Sequence, residues 1–145
     1  MKPVRVVAIS FGYGHAPAPR ADITLDVRRR FRNPHHDPAM RYLTGQDPVV
    51  RDHVLDTPGV LRLIEDTADL VRNLLNASAA TNQVLVAVGC VGGRHRSVAI
   101  AEGIAAAVVI GGINAAVSHR DIDREVLPAG THQRLDNTEQ YGQQL

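Results

Sequence analysis

The sequence predicts an α/β fold: one compact domain with a central parallel or mixed sheet, helices on its faces, and an anion-binding strand–loop–helix. Three observations lead there. Gln83 to Gly89 is apolar at nearly every position, the pattern of an inner parallel strand covered on both faces. Strand-like and helix-like periodicities alternate along the chain, which is the order of a layered α/β sheet. A short glycine-bearing loop then joins the apolar strand to an Ala- and Val-rich helix, and a helix N-terminus so placed faces the carboxyl edge of the sheet.

The elements follow in order. Val4 to Ser10 is β-branched and apolar, a buried strand ended by the loop signal Phe11-Gly12-Tyr13-Gly14. Ala21 to Val27 alternates and reads as a second strand; Arg28 to Pro38 is basic, Pro-containing loop. Asp47 precedes Pro48, the arrangement of an N-cap followed by proline at the first helical position. Thr57-Pro58 opens a longer helix by the same logic, with Leu61, Ile64, Ala68, Val71 and Leu75 as its apolar face. Asn76 to Asn82 is a small, polar stop before the strand at Gln83. Ser97 to Ile110 is the apolar helix, Gly111-Gly112 its end, and Ile113 to His119 the last strand. The domain is expected over residues 1–124, and residues 125–145 as a polar, loosely held tail.

Composition narrows the function. The 145 residues are 44% hydrophobic but only 3% aromatic, so the core must be aliphatic. A net charge of +1 argues against a globally basic nucleic-acid binder and leaves room for a local basic patch. Lys2 is the only lysine. No Gly-x4-Gly-Lys-Ser/Thr loop and no Gly-x-Gly-x-x-Gly fingerprint occurs, so no P-loop hydrolysis is expected. Cys90 is the single cysteine, which fits a cytoplasmic setting and gives neither a disulfide nor a cysteine zinc site. The apolar run from Val98 to Ile113 is too short and too interrupted by Glu102 and glycines to cross a bilayer.

The chemistry concentrates in Cys90-Val91-Gly92-Gly93-Arg94-His95-Arg96-Ser97. Glycines let successive N–H groups turn inward, the helix start adds partial positive charge, and an arginine can add a bidentate fork. These are the parts of a phosphate cradle. Cys90 and Arg96 also match Cys-x5-Arg, the spacing of a cysteine phosphatase; Asp37 and Asp47 are conceivable leaving-group acids, but nothing specific selects them. The strand ends place Ser10, Asp26, Arg28, His119 and Arg120 as candidate lining for the rest of a ligand. Arg28, Arg29, Arg30 and Arg32 form the strongest basic run, a candidate RNA-backbone contact with few aromatics for stacking. His35-His36 is adjacent in sequence and points apart in an extended loop, so no metal or other cofactor is expected.

Six blocks occur in one order: Ser10 to Gly14, Asp22 to Arg28, Asn33-Pro34, Thr44 to Asp47, Gly89 to Val98, and His119 to Asp121. On these blocks the chain resembles the C-terminal domain of the RNase adapter RapZ and its YvcJ-type relatives over residues 4 to 122. The resemblance implies a non-enzymatic regulatory module that senses an amino-sugar phosphate, glucosamine-6-phosphate, and binds small RNA. It implies as partners a ribonuclease or a separate NTPase-domain protein, since the family's N-terminal P-loop domain is expected to be missing here; a homo-oligomer stays open. The alternatives are the Cys90 phosphatase and an interaction domain with an incidental anion site.

Overall fold

A computed structural model describes residues 3–77 and 83–136. Four strands form one wholly parallel sheet: β1 (Val6–Gly12), β2 (Ile23–Asp26), β3 (Val84–Cys90) and β4 (Ala115–His119). Their spatial order is β2-β3-β1-β4. The strand with the continuous apolar pattern, β3, is an inner one, and it pairs with β1 from Val6↔Val84 to Gly12↔Cys90. The register carries β1 two residues past the Ser10 boundary expected from sequence, because Phe11 is buried and Gly12 still pairs.

The helices are α1 (Pro48–Leu55), α2 (Val60–Ala77), α3 (Arg96–Ile110) and α4 (Ala129–Asp136), with a 3₁₀ turn at Pro34–His36. Val60, Ile64, Ala68, Val71 and Leu75 of α2 are buried; Leu61, expected on that face, is exposed, because Val60 is the residue in phase with Ile64. Asp47 stands at the N-cap of α1, but its carboxylate accepts from the Thr44 N–H at 2.8 Å and caps the preceding turn instead of the helix. The all-round apolarity of α3 is explained by its neighbours: it packs on β1, β3 and β4 and under α1 and α2. Val6, Val86, Val88, Ile100, Ile104 and Val108 are the centre of the resulting aliphatic core. No helix among the described residues is long and apolar enough to cross a membrane.

The C-terminal part differs from expectation. Residues 129–136, read as loose tail, form α4, started by the Pro128 carbonyl accepting from Thr131 and His132 N–H. The polar sequence hides a single inward residue, His132, which is buried against the loop after β3. The rest of the expected tail (137–145) and part of the expected stop after α2 (78–82) lie outside the described residues.

Candidate anion-binding site

The loop that follows β3 bends at every residue from Val91 to His95 and delivers the chain into α3. Its shape depends on backbone contact with the end of β1. Gly93 has φ +68°, and a Cβ there would stand 2.6 Å from the Gly12 nitrogen; a Cβ on Gly12 would meet Gly92 and Gly93 backbone at 2.5–2.7 Å. The Gly12 N–H donates to Asp121 Oδ2 at 2.7 Å, so a buried carboxylate after β4 holds β1's last turn against the loop. Among the described residues, no acceptor takes the backbone N–H groups of Gly92, Gly93, Arg94, His95, Arg96 or Ser97. The first turn of α3 has no side-chain cap at its N-cap, which is His95 and not Ser97. That is a run of free donors at a helix start, backed by the helix dipole.

The side chains of the loop face elsewhere. Cys90 is buried in the core cluster, and its thiol donates to Ser97 Oγ at 3.1 Å, tying strand end to helix start. His95 is buried with Nε2 at 3.0 Å from the Met40 carbonyl and 3.1 Å from that of Arg41. Burial pushes its pKa from 6.5 down to about 4, against a partial upward pull from the Met40 carbonyl. Arg94 is spent on carbonyls, those of Leu43, Tyr42 and Ile122. Arg96, expected to fork onto a phosphate, is 1% exposed; its Nη1 donates to the carbonyls of Val27, Arg28 and Arg30, and its Nη2 to Asp136 Oδ1 at 3.2 Å. Its Nε has no partner among the described residues.

Of the five residues expected to line a sugar pocket, Ser10 meets His119 and Asp26 meets Arg28, while the Arg120 side chain turns to partners outside the five. Ser10 Oγ lies 2.6 Å from His119 Nδ1, His119 Nε2 lies 3.0 Å from Glu102 Oε1, and Gln46 donates to the same oxygen. Ser10 is fully buried, so this chain braces β1, β4 and α3 and does not open to a ligand. Asp26 and Arg28 pair at 2.7 Å, and Arg28 lies over the Tyr13 ring at 3.8 Å. Arg120 donates to the Pro17, Ala16 and Gly12 carbonyls and pairs with Asp121 at 2.9 Å. Arg29, Arg30 and Arg32 are exposed.

Sequence reasoning missed the residues packed over the loop. Asn33 donates to His132 Nδ1 at 2.9 Å and to Asp136 Oδ2 at 3.0 Å; its own Oδ1 accepts from the His35 N–H. The His35 and His132 rings stack with centroids 3.6 Å apart. Burial first, then His35 and Arg96 nearby, pushes the His132 pKa down to about 3. The cavity left between Gly92, Arg94, His95, His35, Leu127 and His132 is about 10 Å³. A much roomier concavity, about 430 Å³, lies instead between β2 and α2, around Leu25, Phe31, Leu63, Arg30 and Arg62, and includes no residue of 90–97. No group of three or more His, Cys, Asp or Glu among the described residues is arranged to hold a metal.

Fold and loop together define an α/β domain with a glycine-bearing loop and a run of uncapped backbone N–H groups at the carboxyl end of an inner parallel strand. The chain belongs to the RapZ C-terminal domain family, whose sequence model matches residues 4–123. It is 44% identical over 124 residues to a protein of Rubrobacter xylanophilus called "Nucleotide-binding protein", with 81% of this chain and 40% of that protein aligned. A protein of the same name from Thermobifida fusca is 40% identical, with 84% of this chain and 42% of that protein aligned. The chain thus spans about two fifths of the length of these relatives.

Proposed function

We propose that this domain is a regulatory module that binds a phosphorylated small molecule at the loop 90–97 without transforming it, with an amino-sugar phosphate as the ligand class and RNA as a second, surface-bound partner. The observation that carries the reading is the run of free N–H donors from Gly92 to Ser97 at the start of α3. The relatives' names, which belong to the longer proteins, point to the same phosphate chemistry. The amino sugar, the RNA and a ribonuclease or NTPase-domain partner are proposed here on the resemblance to this family, whose model the chain matches. In this reading backbone N–H groups hold the phosphate, while Arg96 and Arg94 fix the surrounding loops. Cys90, packed in the core and donating to Ser97, supports the loop and is not a nucleophile. No turnover of p-nitrophenyl phosphate is expected, with or without Cys90→Ser.

The test is calorimetric titration with glucosamine-6-phosphate, glucose-6-phosphate and free glucosamine. Binding of the two esters and not of free glucosamine is expected, with loss in Gly93→Ala. Free glucosamine binding as tightly as its phosphate would refute the phosphate cradle; equal binding of the two esters would remove only the amino-sugar assignment.

A further inference from the structure

We infer that residues 125–136 form an intramolecular plug over the anion loop, which a phosphate-bearing ligand must displace; this rests on the reading of that loop given above. The segment lies beyond the family-matched region, residues 4–123, yet it packs on the loop at 90–97 within that region. Three contacts seat it. Leu127 and Leu135 cover Gly14 so closely that a Cβ there would meet Leu127 Cδ1 at 2.4 Å and Leu135 Cδ1 at 3.6 Å. His132 stacks on His35, and its ring lies 3.8 Å from where a Cβ on Gly92 would be. Asp136 places its carboxylate on Arg96 Nη2 at 3.2 Å and Asn33 Nδ2 at 3.0 Å, with His36 Nε2 at 3.8 Å. The plug therefore sets its own anion on the arginine of the loop.

Space and unmet polarity point the same way. The remaining cavity of about 10 Å³ is no larger than one water, so a phosphate ester cannot share the site with α4. His35 Nδ1 and Arg96 Nε are buried without a partner among the described residues. His35 lines the cavity under the plug and Arg96 is held by the plug's Asp136, and each keeps one buried nitrogen that the plug covers without satisfying. The plug is also easy to release. An eight-residue helix is marginal on its own, and α4 buries only His132. Displacement then works by mass action: the ligand binds the open form alone, so its apparent affinity is reduced by the open fraction.

The experiment uses the full chain and inorganic phosphate as the probe, at matched ionic strength. Phosphate affinity is measured for the wild type, for Asp136→Asn, and for Leu127→Ser/Leu135→Ser, which loosens the seat without touching the anion groups. Amide hydrogen exchange is followed in parallel. Expected are affinities raised about tenfold in the leucine variant and severalfold in Asp136→Asn, with exchange slowed at 92–97 and accelerated at 129–136 when phosphate binds the wild type. Phosphate protection of 92–97 with unchanged exchange at 129–136 and equal affinity in all three proteins overturns the plug and leaves the anion loop standing. No protection at 92–97 in any of the three overturns both.

Discussion

Acid should weaken this fold between pH 7 and pH 5, and His95 is the residue that makes the effect measurable. Its imidazole is buried, donates to the Met40 and Arg41 carbonyls, and is faced by Arg94 and, farther off, His35. Burial holds its pKa near 4, while in the unfolded chain it returns to about 6.5. A histidine depressed in the folded state costs nothing above 6.5, where it is neutral in both states. Below that value the unfolded chain takes up a proton that the folded one refuses, so stability falls as pH falls toward 4. Carried from pH 7 to pH 5, this one group contributes a loss of about 2 kcal/mol. His132, held near 3 beside His35, His36 and Arg96, acts in the same direction. Urea unfolding at pH 7 and pH 5 gives the difference directly. His95→Gln keeps a donor for the carbonyls and removes the titration, so its loss over the same interval should be smaller by about 2 kcal/mol. An unchanged pH dependence in His95→Gln would refute the assignment.

Three further outcomes follow from the packing. Gly93→Ala sets a Cβ 2.6 Å from the Gly12 nitrogen at φ +68°, and should cost more than about 1 kcal/mol in urea unfolding as well as ligand binding. Ile100→Ala, in the middle of α3 with its side chain fully buried, should cost about 2–5 kcal/mol, read as a lowered denaturation midpoint at constant slope. Replacing the exposed Arg29, Arg30 and Arg32 with alanine should weaken RNA binding and flatten its salt dependence; equal affinities for both proteins at two salt concentrations would remove this run as the electrostatic contact.

Local chemistry and global packing divide this protein unevenly. The parallel sheet and its helices were legible because β3 is apolar on both faces and α2 repeats its apolar residues every three or four positions; burial imposes those periods directly on the sequence. The turn into α3 was legible for a similar reason, since Gly92-Gly93 before a helix start has a local backbone consequence whatever surrounds it. The directions of the long side chains were not. Arg96 and Arg94 read as phosphate ligands, yet their guanidinium groups meet carbonyls of the loops at 27–30, 42–43 and 122, whose arrival at this place is set by the sheet order and not by neighbours in the chain. Ser10 and His119 likewise met through strand pairing across more than a hundred residues, and α3 brings Glu102 to the same part-buried network. α4 was invisible because a polar eight-residue segment with a single buried side chain has no period to read. The sequence by itself determined the layers and the place of the glycine turn before α3, which depend on hydrophobic period and backbone freedom. Only the tertiary structure decided what stands over that loop, because a histidine stack and a carboxylate on an arginine arise from long-range contacts that leave no local pattern.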